Sequence, residues 1–323
     1  MKVRKKIWLL PLGACLLCSA LQAIDDYRPF FAPVPGKNGM AMAISIRQFR
    51  RNGRWYQLRV NPVTMATAIT LSSAPSLAGS SLTELRGAFA DTPYFKAMGD
   101  AAHNTRALQD AGITHALPNE RGVCLTIDLC PTRRRLERTL FLDIVAAFAK
   151  IEKPVPLAIA VSGLWLESHG EDLRWLQGLV RSGAITVDWI NHSYHHQYDP
   201  RLPLRQNFLL EKGVNLDREI LLTEKKMIES GLTPSVFFRF PGLVSSQGEC
   251  ERVLAYGLIP VGSDAWLAKR QASRPGSIIL IHGNGNEARG IKKFLALVAR
   301  ERKAIKQRNW LLFDLRDSVA REE

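Results

Sequence analysis

The stretch that decides the fold is residues 122–129, GVCLTIDL, together with the segment that follows it. These eight residues form a short apolar run with β-branched side chains, which is typical of a buried strand. Residues 134–152, RRLERTLFLDIVAAFAKIE, then carry apolar side chains at helical spacing, and residues 155–163, VPLAIAVSG, form a second apolar run. A strand, a helix and a strand in this order predict a βαβ unit with parallel strands.

The same alternation continues to the C-terminus. Five further apolar runs are predicted as strands, at residues 184–193, 235–242, 258–266, 276–285 and 309–315. Seven strands that alternate with helices indicate an α/β fold with a parallel sheet, and this number favours a distorted (β/α) barrel over an open sheet. We therefore expect a barrel domain over residues 120–323.

Residues 24–119 have a different pattern. Residues 42–61 contain two alternating runs around Asn52-Gly53, a strong hairpin signal. Residues 82–112 are typical of one or two helices. Because no flexible linker precedes residue 120, we expect this region to be an N-terminal elaboration that packs on the barrel, in preference to a separate binding domain.

The first 23 residues have the features of a secretory signal peptide. A basic segment, MKVRKK, precedes the apolar run IWLLPLGACLLCSAL, and the small residue Ala23 ends a cleavage site. LGAC at Cys15 also resembles a lipoprotein processing box, but the apolar run continues beyond it, which favours ordinary cleavage. We therefore expect an exported protein of the periplasm or cell envelope, with no transmembrane span in the mature chain.

Charge and cysteine content agree with export only in part. Removal of the signal peptide takes away four basic residues and no acidic one, so the formal charge falls from +14 to +10. This surplus indicates either a basic soluble surface or attraction to anionic cell-envelope polymers, and no nucleic-acid-binding module is recognisable. Cys124, Cys130 and Cys250 remain in the mature chain, for which one disulfide and one free thiol is the simplest expectation.

Polar side chains cluster at the ends of the predicted strands. The residues concerned are Thr126, Asp128, Asn191, His192, Ser193, His196, Arg239, Pro241, Asp264, Trp266 and His282. Taken singly, each has an ordinary structural explanation, such as a helix cap, a hydrogen-bonded core histidine or a buried structural cation. Because the C-terminal ends of barrel strands converge on one mouth, their occurrence at successive strand ends predicts a shared site.

The order and spacing of these residues resemble the polysaccharide deacetylases, carbohydrate esterase family four, also called the nodulation-type deacetylase homology domain. Five motifs carry the resemblance: TIDL at 126–129, HSYHH at 192–196, RFP at 239–241, DAW from Asp264, and LIH ending at His282. The resemblance covers roughly residues 120–317, about three-fifths of the chain. The second, third and fifth motifs are specific, whereas the fourth is loose and the first is only half kept.

The resemblance implies a role for each matching residue. His192 and His196 would bind a divalent metal, for which zinc suits the two imidazoles. Asp128 would be the general base, and His282, in its protonated form, the general acid.

Arg239 would keep Asp128 ionised, and Asp264 would orient Arg239. Ser193 would support the histidine loop by hydrogen bonding, and His195 would be a loop residue and not a ligand.

One position departs from the family pattern. Leu129 stands where the family has a metal-binding Asp, so one carboxylate is missing. Asp199 or the thiol of Cys130 could replace it. If the two histidines form a real site, restoring the carboxylate in Leu129→Asp should tighten metal binding; if no metal binds, Leu129 simply fills an apolar space.

These observations favour an exported metal-dependent hydrolase that removes acetyl groups from an N- or O-acetylated glycan. Two alternatives remain open: a catalytically silent glycan-binding relative in a polysaccharide assembly system, and a hydrolase of a non-sugar amide. The loss of half of the first motif favours the silent relative. The retention of Asp128, Arg239 and His282 favours catalysis, because a silent protein has no need of a general base, its arginine partner and a general acid together.

Overall fold

The computed structural model describes residues 23–36, 41–72, 79–117 and 121–319. Within these ranges, no helix has the length and apolar character needed to cross a membrane. Apart from Ala23, the predicted signal peptide lies outside the described residues.

The described ranges contain strands and helices throughout. The strands are β1 (Ile24–Pro35), β2 (Ala41–Arg51), β3 (Arg54–Val60), β4 (Thr67–Leu71), β5 (Gly122–Leu129), β6 (Val155–Val161), β7 (Ile185–Asn191), β8 (Pro234–Phe238), β9 (Ile259–Pro260), β10 (Ala265–Trp266), β11 (Ile278–His282) and β12 (Leu311–Leu312). The α-helices are α1 (Leu82–Phe89), α2 (Pro93–His103), α3 (Arg138–Phe148), α4 (Gly163–Ser168), α5 (Gly170–Arg181), α6 (Leu216–Glu229), α7 (Gln247–Ala255), α8 (Ala288–Lys306) and α9 (Leu315–Ser318).

The C-terminal part of the chain forms a curled parallel sheet covered by helices. The strands follow the order β10-β11-β5-β6-β7-β8-β9, and β12 pairs with the start of β5. Every pairing within this sheet is parallel. The predicted α/β fold of the distorted (β/α) barrel type is therefore confirmed.

The prediction of a single strand over residues 258–266 is wrong. This segment forms two short strands, and β9 pairs with β8 whereas β10 pairs with β11, at the opposite edge of the sheet. The barrel is therefore open between them. The seam is bridged by the N-terminal region, in which Ile113 pairs with Val261 and His115 pairs with Ser277. Gly112 allows this approach, because a Cβ there would lie 2.2 Å from the carbonyl oxygen of Pro260.

The two faces of β5 have different environments. Leu125, Ile127 and Leu129 belong to the main apolar core, which β5 shares with α3, α5 and α8. Thr126 and Asp128 alternate with them and therefore face the interior of the barrel. Strand alternation thus separates the apolar core from the polar residues of the candidate site.

The N-terminal elaboration is an antiparallel sheet of order β1-β2-β3-β4, followed by α1 and α2. The hairpin predicted at Asn52-Gly53 is confirmed, and both residues have the positive φ that a tight two-residue turn requires. Strand β1 is absent from the sequence-based prediction. It contains Pro29, Pro33 and Pro35, which disguise a strand pattern but are tolerated because β1 is an edge strand.

A buried ion pair joins the N-terminal sheet to the barrel. The Arg47 guanidinium of β2 binds both carboxylate oxygens of Glu224 in α6, at 2.7 and 2.9 Å, and donates to the carbonyl oxygens of Ile46 and Tyr256. The Tyr27 hydroxyl donates to the same carboxylate at 2.9 Å. Both charged side chains are fully buried, so each depends on the other for compensation.

We expect Arg47→Ala to lower the free energy of unfolding by about 3 to 5 kcal/mol, because it leaves the Glu224 carboxylate buried without its cation. The combined change Arg47→Met with Glu224→Leu removes both charges and should cost less than the single change. Urea unfolding monitored by circular dichroism measures both. Arg50→Ala is the control, since its ion pair with Asp26 is exposed on the same sheet and is worth under about 1 kcal/mol. A double variant less stable than Arg47→Ala would contradict the interpretation.

Candidate active site

The carboxyl ends of the central strands bring the predicted site residues to one edge of the sheet. In the parallel register of β11 and β5, His282 lies beside Asp128. On the other side of β5, Asp128 pairs with Ala160 of β6, and the end of β7 aligns with Val161. His192 and Arg239 directly follow β7 and β8. Strand pairing thus brings together residues that are far apart in the sequence.

His192 is held in one tautomer by the backbone. Its Nδ1 donates to the carbonyl oxygen of Arg239 at 2.8 Å, because a carbonyl can only accept. The Nε2 lone pair is therefore free to bind a metal. This nitrogen lies 3.6 Å from the Cys130 Sγ and 3.7 Å from the Asp128 Oδ2, and the ring is buried. Burial lowers the pKa of His192 against the opposing effect of Asp128, which favours the neutral, metal-binding form.

The turn that carries His196 is held by α6. The Glu219 carboxylate accepts hydrogen bonds from the backbone N–H groups of Tyr194 and His195, each at 2.8 Å, and contacts the His195 Nδ1 at 2.5 Å. Ser193 and His196 both have positive φ in this turn. Glu219 is a supporting residue that the sequence analysis missed, and His195 lies outside the metal-ligand cluster as predicted.

The supporting role predicted for the Ser193 side chain is not seen. Its buried hydroxyl has no hydrogen-bond partner within the described part of the chain. Its backbone does contribute, since the carbonyl oxygen accepts from the Gly163 N–H at 3.1 Å and the N–H donates to the Asn191 side chain at 3.0 Å. The backbone of Ser193 therefore fixes the turn.

Cys130, His192 and His196 fit a divalent metal ion. Each offers one ligand atom, and the three atoms lie within 4.8 Å of one another. Ordinary zinc–sulfur and zinc–nitrogen bond lengths at a tetrahedral angle place the two ligand atoms roughly 3.5 Å apart, close to the 3.6 Å between Cys130 Sγ and His192 Nε2. The His196 Nε2 is buried without a hydrogen-bond partner among the described residues, which is consistent with a nitrogen that binds a metal ion.

The structure distinguishes the two candidates for the missing ligand. Cys130 lies beside the histidines, whereas the Asp199 carboxylate binds the Arg201 guanidinium at 2.6 to 3.2 Å. Asp199 also lies outside the Cys130–His192–His196 cluster. The prediction of one disulfide, made from the cysteine count, is wrong for the described residues, because Cys124, Cys130 and Cys250 are all free thiols.

The charges near Cys130 and His282 are coupled. Burial raises the pKa of the Cys130 thiol, but the neighbouring His196 and His282 outweigh this and lower it to about 7. Burial lowers the pKa of His282, but Cys130, Glu287 and Asp128 outweigh it and raise that pKa well above its ordinary value. His282 is therefore held in the protonated form that a general acid needs.

Asp128 and Arg239 are buried side by side with incomplete hydrogen bonding. Arg239 Nη2 donates to the Thr126 hydroxyl at 2.9 Å, and its Nη1 lies 3.9 Å from the Asp128 Oδ1. Within the described ranges, that oxygen and the Nε and Nη1 of Arg239 have no hydrogen-bond partner. Buried polar atoms without partners are rare, and they indicate a position where water or a ligand completes the bonding.

The prediction that Asp264 orients Arg239 is wrong. Asp264 precedes β10 and accepts from the backbone N–H of Ile278, the first residue of β11, at 3.0 Å. It therefore lies at the opposite end of β11 from His282. Its carboxylate also contacts His115 at 2.7 Å and Arg274 at 3.5 Å. The error follows from treating residues 258–266 as one strand, which placed Asp264 at a strand end.

Two other carboxylates act on the site, and both were missed. Glu287 accepts from the His282 Nδ1 and from the Trp266 Nε1, each at 2.8 Å, and thereby orients His282. Asp110, in the segment that bridges the seam, accepts from the Ser263 N–H at 3.1 Å, and its charge opposes the lowering of the Arg239 pKa by burial. No local sequence signal marks either residue, since one lies in a loop and the other in the N-terminal elaboration.

Comparisons with known proteins give one family match and several structural neighbours. Residues 25–95 match the family model described as the RP012 protein N-terminal domain. A family 4 carbohydrate esterase from Bacillus anthracis is similar at TM-score 0.48 and 15% identity, over 76% of this chain and 94% of that chain. A family 4 carbohydrate esterase from Streptomyces lividans is similar at TM-score 0.40 and 20% identity, over 59% and 91%.

A pseudoenzyme of the same esterase family, also from Bacillus anthracis, is similar at TM-score 0.44 and 13% identity, over 92% of this chain and 90% of that chain. The structural neighbours thus include both esterases and a pseudoenzyme, all at low identity.

We expect Leu129→Asp to destabilise the protein by about 3 kcal/mol or more, without tightening metal binding, because it would bury an unpaired carboxylate in the apolar core. Leu129→Met is the matched control, with an expected loss below about 1.5 kcal/mol. Urea unfolding gives the stabilities, and calorimetric zinc titration gives the affinities. A folded Leu129→Asp protein that binds zinc more tightly than the unmodified chain would contradict this placement and restore the expectation drawn from the sequence.

We expect Cys130→Ser to weaken binding of zinc and cobalt by at least about tenfold, because a hydroxyl is a poor ligand for these ions compared with a thiolate. The cobalt complex of the unmodified protein should show a near-ultraviolet sulfur-to-metal charge-transfer band that Cys130→Ser lacks. Cys250→Ser is the control, since Cys250 is buried in another part of the core. A cobalt complex with the same band in Cys130→Ser would exclude Cys130 as a ligand.

Proposed function

We propose that the protein is a metal-dependent hydrolase that removes acetyl groups from an N- or O-acetylated glycan. The observation that carries the proposal is the convergence of three potential metal ligands, a buried carboxylate and a carboxylate-bound histidine at one barrel mouth. On the strength of the first 23 residues, we also propose that it is exported to the periplasm or cell envelope.

The metal would be held by Cys130, His192 and His196, and zinc suits this set of sulfur and nitrogen ligands. A divalent ion bound there would supply Lewis acidity toward the acetyl carbonyl and the attacking water. The Cys130 thiol would take the place of the carboxylate that is missing at Leu129, so the site would still have three protein ligands. This supports catalysis over the silent alternative.

Asp128 has the position of a general base. Its Oδ2 lies 3.7 Å from the His192 Nε2, so a water molecule beside the ligand cluster would be within its reach. The Arg239 Nη1 lies 3.9 Å from the other carboxylate oxygen, so a buried guanidinium faces the carboxylate that would accept the proton.

His282 has the position of a general acid. Its Nδ1 contacts Glu287, which leaves the Nε2 N–H as the group that would donate the proton to the leaving atom. The water oxygen adds to the acetyl carbon, the bond from that carbon to the sugar nitrogen or oxygen breaks, and acetic acid leaves and ionises to acetate in the solvent. The sugar atom takes the proton that His282 donates, while Asp128 holds the proton removed from water.

We expect the purified protein to release acetate from at least one member of a panel of N- and O-acetylated glycans, and to do so faster with added zinc, cobalt or nickel. Asp128→Asn should lower the rate by at least about a hundredfold, because an amide cannot accept the proton. Asp143→Asn, an exposed change on α3, is the matched control. If metal binds but no glycan or simple acetylated amide is hydrolysed, the silent glycan-binding alternative is favoured; release only from amides favours the non-sugar hydrolase.

A further inference from the structure

We infer that the glycan bound at this site is acidic and carries carboxylate or phosphate groups. The inference rests on the proposed function and concerns the loops that surround the barrel mouth. These loops carry exposed arginines that have no ion-pair partner within the described part of the chain, and a lysine that packs on the Trp266 ring. They also carry an exposed aromatic ring, that of Tyr198, against which a sugar could stack. The positive charge and the open ring together indicate an acidic glycan.

The first cationic loop follows β5 and contains Arg133 and Arg135. Both side chains are exposed, and neither has an ion-pair partner in the described part of the chain. The Arg134 side chain between them donates to the carbonyl oxygen of Gly285 at 2.5 Å, which ties this loop to the one that follows His282. The loop that carries Arg133 and Arg135 is therefore fastened to the loop that follows His282.

A further cation, Lys269, is connected to the proposed general acid His282. The Lys269 Nζ is 3.6 Å from the centre of the Trp266 ring, and the Trp266 Nε1 donates to Glu287, which binds His282. Lys269 is thus connected to His282 through three contacts, by way of Trp266 and Glu287. The Glu287 carboxylate accepts hydrogen bonds from the ring N–H groups of Trp266 and His282, and these contacts partly compensate its negative charge.

An aromatic ring lies on the other side of the mouth, in the loop that follows His196. Tyr198 is 61% exposed and stacks on the buried Phe208 at a ring-centre distance of 5.1 Å. Phe208 in turn packs edge-on against His196 at 5.9 Å. Tyr198 therefore presents an open ring face beside a metal-binding histidine. Arg205, which is exposed in the same loop, adds a further cation without an ion-pair partner in the described ranges.

These features match the chemistry of an acidic polysaccharide. An exposed tyrosine ring supported from behind can stack against the apolar face of a sugar. Guanidinium groups bind carboxylate and phosphate oxygens in pairs, and clustered cations at a cleft raise the local concentration of an anionic ligand. The acidic residue Asp199 does not cancel this charge, because it is already paired with Arg201.

The test is a binding measurement on the Asp128→Asn protein, in which turnover is expected to be at least about a hundredfold slower. Calorimetry compares acetylated oligosaccharides of equal length that are neutral, uronate-containing or phosphate-containing, at low and physiological salt. We expect at least tenfold tighter binding of an acidic oligosaccharide than of the neutral one, and a loss of this preference as salt rises. The two acidic arms distinguish carboxylate from phosphate as the recognised group.

Variants locate the effect. Arg133→Gln combined with Arg135→Gln, or Lys269→Gln alone, should reduce the preference for the acidic oligosaccharide. Arg302→Gln combined with Lys303→Gln removes the same charge from the exposed far end of α8, roughly 21 Å along the helix from its start, and should leave the preference unchanged.

Tyr198→Ala should weaken the binding of neutral and acidic oligosaccharides to the same extent. Tyr198→Phe should keep the binding of the unmodified protein, because stacking needs only the ring.

Equal affinity for neutral and acidic oligosaccharides, insensitivity to salt, or equally tight binding of a single-stranded oligonucleotide would overturn the inference. Its failure is separable from failure of the proposed function. Acetate release from neutral and acidic glycans at equal rates by the unmodified protein would contradict only the acidic substrate. Selective binding of acidic glycans without acetate release from any of them would contradict only the hydrolase.

Discussion

Parallel pairing on both sides of β5 is the constraint on which the rest of the structure depends. Because β11 and β6 both run parallel to β5, the three carboxyl ends lie at one edge, and register places Asp128 beside His282. These two residues are 154 positions apart in the chain. The candidate site is therefore a product of sheet topology, and each loop needs only to deliver one or two side chains to a common mouth.

Two buried arginines show how structural and functional charges differ. Arg47 is bound to both oxygens of Glu224 and to two backbone carbonyls, as expected of a charge that holds two parts of a fold together. Arg239 is equally buried, but its Nε and Nη1 and the facing Asp128 oxygen have no partner among the described residues. Burial with complete bonding favours stability, whereas burial with free bonding capacity reserves a place for water or substrate.

Residues 129 and 130 show how strand alternation redistributes a site. Leu129 takes the core face of β5 and packs among apolar side chains, so it is not available to a ligand cluster inside the barrel. Cys130 follows the end of the strand and lies 3.6 Å from His192, where a sulfur ligand can take over the missing coordination. The departure from the family pattern at one residue thus coincides with a possible ligand at the next.

The sequence by itself determined the periodic elements and the polar strand ends. Apolar runs and helical spacing are local, so they predicted most barrel strands, the Asn52-Gly53 hairpin and the convergence of Asp128, His192, Arg239 and His282. Tertiary structure decided what depends on pairing: the division of residues 258–266 between two sheet edges, and with it the position of Asp264. It also decided the contacts of Asp110 and Glu287 and the choice of Cys130 over Asp199. These contacts join segments that share no local pattern, so only the tertiary arrangement of strands and loops could reveal them.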